Sequence, residues 1–256
     1  MNNQPNKMSI KRINCFCSLF FSSSLKSLKV MLKINIKYHF SMIQKILEVQ
    51  NELMPDFTGQ AFAWGNAKIP QSTLIVNITS AEHCPSKARG LCQVTHCCYA
   101  SKCERIYKYY KAKNLFMENW LFQTPNHKII ELMTAYIRYA PVPITCIRIN
   151  EAGDFINQNQ IVQWNKIAKY FYETFGIITY TYTARTDLDF TAAPFIMVNG
   201  SLPNIAGAIR QFYCVPAEFY DGYIPGPNEY KCPADCTRCH VCSTENFRGV
   251  IYCKKH

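Results

Sequence analysis

The sequence predicts an α/β protein: a partial parallel (TIM-like) barrel with a cysteine-rich, metal-binding C-terminal module. Three observations predict it. Short β-branched runs alternate with longer stretches whose apolar residues recur at helical spacing. Polar and charged residues gather just after several of those runs. Cysteines crowd into two stretches, within 84–103 and within 232–242.

Three parts follow in order. Residues 1–55 read as an appended segment. Lys7, Lys11 and Arg12 precede an apolar stretch, Ile13 to Leu25, that resembles a weak signal peptide but is broken by Ser22, Ser23 and Ser24. A mistaken or extended start fits better, with Met31 or Met42 as alternative starts. Met42 to Leu53 has amphipathic helical spacing through Ile43, Ile46, Leu47 and Leu53. The Ile13 to Leu25 stretch is too polar and short to span a membrane.

Residues 56–219 form the barrel-like domain. Asp56 to Lys68 reads as a loop or short hairpin with Phe62 and Trp64. Thr73 to Ile78 is the first buried strand. The loop after it holds Cys84, Cys92, Cys97 and Cys98, broken by Pro85 and Gly90. A helix starts near Tyr99, with Tyr99, Cys103, Ile106 and Tyr110 predicted on one face. Leu115 to Phe122 and Lys128 to Tyr139 continue as helices divided by Pro125. Pro143 to Ile149 is a strand, Gln160 to Phe175 a helix stopped by Gly176. Ile177 to Thr183, Phe195 to Val198 and Gln211 to Val215 are further strands. The strand ends carry Glu151 and Asp154, then Arg185 and Asp187, then Asn199 and Ser201. In a parallel barrel those ends share the face where sites are built.

Residues 220–256 change character. Pro225, Gly226 and Pro227 lead into Cys232-x3-Cys236-x2-Cys239-x2-Cys242. Four thiols within eleven residues point to a metal, with His240 and Cys253 as substitute ligands. A disulfide knot is the alternative.

Composition supports a core: 48% of the 256 residues are hydrophobic and only 18% charged, which argues against wholesale disorder. The net charge of +11 suits nucleic acid, an anionic cofactor or a phosphate-bearing substrate. A bias towards Lys, Asn, Ile and Tyr of the kind AT-rich coding sequence produces explains the same charge. The clustering of the 14 cysteines favours metal in a reducing compartment.

Cys84-x7-Cys92-x5-Cys98 offers three thiolates for a [4Fe–4S] cluster, leaving one iron open. An open iron is the kind that binds the amino and carboxylate groups of S-adenosylmethionine. A zinc loop or thiols without a ligand are the alternatives, and zinc is also the alternative at the C-terminal group. Glu151 and Asp154 are the candidate catalytic or amino-binding carboxylates. Asp154 alone could instead cap the helix beginning near Asn157. Arg148, Arg185 and Asn199 are candidates to line the cofactor pocket. Either arginine has a structural ion pair with Asp187 or Asp154 as its plainer role. Tyr180 and Tyr182 read as packing residues, and His83 and His96 as loop histidines.

The runs NITSAEHCPSKARGLC, CCYASKCER, RINEAGDF, YTYTARTDL and CPADCTRCHVC, in that order from about Phe62 to Cys242, resemble the phage gene-product-88 family. That likeness implies a bacteriophage or mobile-element protein in the host cytoplasm. Its motifs are distantly similar to radical S-adenosylmethionine proteins. By that likeness Cys84, Cys92 and Cys98 would hold the cluster, and Glu151 to Asp154 would stand at that superfamily's Gly-Gly-Glu position. Two functions are therefore expected: an iron–sulfur, radical-type enzyme acting on an unidentified small-molecule or macromolecular substrate, or a non-enzymatic zinc protein associated with nucleic acid. Metal content separates them.

Overall fold

The computed structural model describes residues 40–254. The signal-like stretch from Ile13 to Leu25 and the start at Met31 lie outside the described residues. From Ile46 onward the described chain forms one compact unit.

A helix over residues 40–53 (α1) carries the amphipathic pattern expected there. Then come β1 (Ala63–Trp64), β2 (Thr73–Val76), the short α2 (Pro85–Ala88), α3 (Tyr99–Ile106), α4 (Lys108–Gln123) and α5 (Asn126–Arg138). After these lie β3 (Cys146–Ile149), α6 (Gln158–Phe175), β4 (Ile178–Thr183), β5 (Ile196–Gly200) and β6 (Arg210–Val215). The chain finishes with α7 (Ala217–Gly222), β7 (Glu229–Lys231) and β8 (Val250–Lys254). The strands form one sheet in the order β1-β2-β3-β4-β5-β6-β8-β7. β1 is antiparallel to β2, and every other pair is parallel. The sheet is not closed: β1 and β7 are its edges. The segment from residue 220 adds β7 and β8 to the same sheet.

Strand alternation gives this sheet two different faces. Leu74, Val76, Ile147, Ile149, Ile196 and Val198 point to one side and are buried. They share a core with Met117 and Leu121 of α4, Leu132 and Tyr136 of α5, and Trp164 and Phe171 of α6. The opposite face carries Cys146, Arg148, Tyr180, Tyr182, Phe212 and Cys214, which border a cavity instead. So the helices bury one face and leave the other bordering the cavity. The 3.6-residue spacing in α6 places Ile161, Trp164, Ala168 and Phe171 on the buried side.

Helix ends follow local chemistry. Pro125 is the N-cap of α5, dividing it from α4 as expected. Gly176 ends α6 in the left-handed region, φ 66°. Asn157, not Asp154, caps α6: its side chain accepts from the Gln160 amide at 3.0 Å. In α3 the expected apolar face is replaced. Ala100 and Glu104 are its buried residues, while Tyr99 and Ile106 are 45% and 54% exposed. The reason is electrostatic: Glu104 turns inward to accept from the amides of Ala81 and Glu82 and from the Asn114 amide group. Among the described residues no helix is long and apolar enough to cross a membrane.

Phe171 is fully buried between α6 and the sheet. Phe171→Ala should cost about 3–5 kcal/mol in a urea titration, the usual range for deleting a buried phenyl ring.

Candidate functional site

A cavity of about 790 Å³ opens over the polar face of the sheet. Its wall takes Cys84, Cys92, Cys97 and Cys98 from the segment between β2 and α3. It also takes Cys232, Cys236, Cys239 and Cys242 from the crossover between β7 and β8, and Cys146, Cys214 and Cys253 from strands. Of the twelve described cysteines, only Cys103 lies apart from it. Two cysteine groups more than 120 residues apart in sequence thus face one space.

The cavity rim nearest β2 and β3 is held by one buried carboxylate. Asp154 is 3% exposed. Its Oδ1 accepts from the Phe155 amide and the Thr183 hydroxyl, its Oδ2 from the Ser86 hydroxyl and the Ala184 amide. The Asp154 amide donates to the Thr79 hydroxyl, which donates back to the Asp154 carbonyl, each at 2.8 Å. Burial pushes its pKa up, and the four hydrogen bonds pull the other way. With four donors on two oxygens, this carboxylate positions the loops after β2, β3 and β4. Gly153 beside it has φ +79°, and a Cβ there would lie 2.0 Å from the Thr79 hydroxyl oxygen, so only glycine permits the approach.

Glu151 borders the cavity, with its Oε1 accepting from the Asn66 amide group and its carbonyl from the Tyr99 hydroxyl. Arg148 stacks its guanidinium 4.9 Å from the Tyr182 ring centre. Its Nε is buried without a partner. Burial disfavours its charge, yet the neighbouring Tyr182, Tyr180, Tyr99 and Glu151 outweigh that and raise its pKa.

Arg185 and Asn199 do not border the cavity. Arg185, 1% exposed, forms a two-pronged pair with Asp187 at 2.7 and 2.8 Å and donates to the carbonyls of Phe155 and Ile156. That is the structural pairing with Asp187 offered by the sequence as its plainer role. Asn199 is fully buried; its amide group donates to the carbonyls of Thr181 and Cys242, at 3.0 and 3.1 Å. Its Oδ1 is buried without a partner. It therefore ties the cysteine-rich segment to β4. Arg210 does the same from β6, donating to the carbonyls of Val241 and Thr244.

Burial favours the protonated form of several of these thiols. Burial pushes Cys84 up to about 11 and Cys242 up to about 12. Burial also raises Cys146, Cys232 and Cys236, though Arg148 and Lys68 act on Cys236 in the opposite sense. Among the described residues, no three His, Cys, Asp or Glu side chains are already gathered tightly enough to hold a metal ion. His83 is exposed, meets Glu118 at 3.0 Å and does not border the cavity. The sequence reasoning missed Cys146, Cys214, Lys68, Arg210 and Glu104. Strand alternation was the available signal for two: Cys146 shares a face with Arg148, and Cys214 with Phe212.

Two predictions follow from these ties. Hydrogen bonds from Arg185 hold the Asp187 carboxyl below its ordinary 3.8. A depressed carboxylate stabilises the fold above its unfolded pKa and loses that contribution as pH falls through the folded value. Asp187→Asn should cost about 2 kcal/mol near neutrality, below the usual range for a fully buried pair because Asp187 is a third exposed. In urea titrations the gap between wild type and variant should narrow below about pH 4. Separately, Arg210→Met should leave the Val241 and Thr244 carbonyls without their donor. Limited proteolysis should then cut between residues 232 and 249 at least several times faster, with the cuts mapped by mass spectrometry.

No curated protein and no solved structure matches the chain. A family model described as gene product 88 matches residues 47–204. The match spans more than half of the 256 residues and stops short of the cysteines at 232–242. It covers α3 with its cysteine loop, the Asp154 junction and β2 to β5. The chain belongs to the bacteriophage gene product 88 family.

Proposed function

We propose that this is an iron–sulfur protein with a redox or radical-type activity, its centre seated in the thiol-walled cavity. One observation carries the reading: eleven thiols from distant parts of the sequence border a single space over one face of the parallel sheet. Thiols rarely gather in such numbers for packing alone. Thiolate donors in that number select iron–sulfur clusters, zinc or copper(I), not hard cations.

The donor set fits a cluster in its chemistry, and the loops must draw the sulfurs together to complete it. Cys84, Cys92 and Cys98 would hold the catalytic cluster. Cys232, Cys236, Cys239 and Cys242 would hold a second centre, iron–sulfur or zinc. Both sets lie in irregular segments or short turns, which can adjust at small cost. Loading must displace the protons that burial keeps on Cys84 and Cys242, so affinity should rise with pH. A bound four-iron cluster with an open iron would supply one-electron chemistry to S-adenosylmethionine or another ligand. The chain's own part is binding and orientation. Arg148 offers a fixed cation stacked on Tyr182 for a carboxylate or phosphate, and Glu151 offers a carboxylate for an amino group. Asp154 holds the loops that present them. A partial barrel opening on this face is the architecture that suits such a site.

Anaerobic purification with iron, sulfide and zinc analysis tests the reading. The expected protein is brown and holds iron and acid-labile sulfide. Replacing Cys92 and Cys98 with Ser should remove the iron of the catalytic cluster while the fold persists. Replacing Cys236 and Cys239 with Ser should release the second centre's metal. Colourless wild-type protein with stoichiometric zinc would overturn the iron–sulfur assignment in favour of a zinc protein. The +11 charge would then make nucleic-acid binding the next measurement.

A further inference from the structure

Two thiols on the cavity face belong to neither proposed ligand set. Cys214 stands on β6 and Cys253 on β8, and the parallel register pairs them directly. Their sulfurs lie 3.1 Å apart. A disulfide bond is about 2.05 Å long, so roughly 1 Å of side-chain rotation closes the gap. Neighbouring strands run about 4.8 Å apart, within the Cα separations of about 4.4–6.8 Å that disulfides span. No backbone rearrangement is needed. Cys214 is exposed, so a solvent-borne oxidant can reach it. Cys253 is only partly accessible, which leaves the exposed Cys214 as the attacking thiol.

We propose that Cys214 and Cys253 form a reversible dithiol–disulfide couple that, when oxidised, staples β8 to β6. The co-reactant is a small-molecule disulfide such as oxidised glutathione. The Cys214 sulfur attacks it, giving a mixed disulfide and expelling one glutathione as the thiol. The Cys253 sulfur then attacks Cys214, forming the protein disulfide and expelling the second glutathione. Two S–H bonds are lost from the protein, one S–S bond forms, and one glutathione disulfide becomes two thiols. The closed loop encloses the whole segment that carries Cys232 to Cys242. Oxidation therefore restrains the thiol-bearing crossover without consuming any of its four cysteines. Neither thiol is among the seven cysteines proposed above as ligands, although the sequence also offered Cys253 as a substitute for one of them.

The test uses the full chain, purified anaerobically and incubated with oxidised glutathione. It is then alkylated and digested with trypsin. Cleavage after Arg210, Lys231, Arg248 and Lys254 puts Cys214 in Gln211–Lys231 and Cys253 in Gly249–Lys254. The expected product is these two peptides linked, lighter than their sum by two hydrogens, and separated again by excess reduced glutathione. Cys214→Ser should abolish the linked species, and Cys253→Ser should stop the reaction at the glutathione adduct on Cys214. Oxidised wild type should also resist proteolysis between residues 216 and 249 several-fold better than reduced. A linkage of Cys253 to Cys232 or Cys242, no linkage at all, or a bond that reduced glutathione does not open would each overturn the proposal. The wild-type peptide map decides the matter even if a variant fails to fold.

Discussion

One buried carboxylate sets the geometry on which the cavity depends. Asp154 meets four donors drawn from the segments after β2 and β3 and from the end of β4 and the residue beyond it. Taking a carboxylate out of water costs several kcal/mol unless its oxygens are satisfied. Here that penalty makes the arrangement specific, because the chain must bring all four donors to one point. The loop that supplies Ser86 is the loop that carries Cys84 and Cys92. Placement of the thiols on that loop is thus tied to a hydrogen-bonded junction.

The sheet supplies the second constraint. Its alternation sends aliphatic side chains to the helices and thiols, tyrosines and Arg148 to the cavity. A parallel sheet usually has both faces covered by helices. The helices α4, α5 and α6 all belong to one core, and the connections from β4 to β5 and from β5 to β6 contain no α-helix. The cysteine-rich crossover lies on the other face, pinned by Asn199 and Arg210. It covers polar groups that would otherwise face solvent and contributes donors of its own.

Much of the fold was legible in the sequence because periodicity reports burial. The strands from β2 to β6 and the helices α4 to α6 fall where their spacing puts them, and Pro125 and Gly176 mark the expected ends. What escaped was decided by long-range partners. Glu104 occupies a position that spacing assigns to an apolar neighbour, because two amides 22 and 23 residues away need its oxygens. β7 is three residues long and β8 five, too short to announce themselves beside a run of cysteines. Arg185 shows the limit for sites: a charged residue after a strand can as readily complete a structural pair as line a pocket. The sequence leaves Cys214 unremarked and offers Cys253 as a substitute ligand, because only the β6–β8 register makes them neighbours.

The strand order also dictates a sequence of assembly. β7 is made before β8 but lies outside it, so it has no place in the sheet until β8 has docked against β6. During synthesis the four thiols of the crossover emerge while the surface that will hold them is incomplete. For that interval they are open to oxidants, to stray metals and to each other. Loss of even the final strand would leave β7 with nowhere to pair and the cavity with one wall missing. The last residues of the described chain thus act as the latch of the whole thiol chamber.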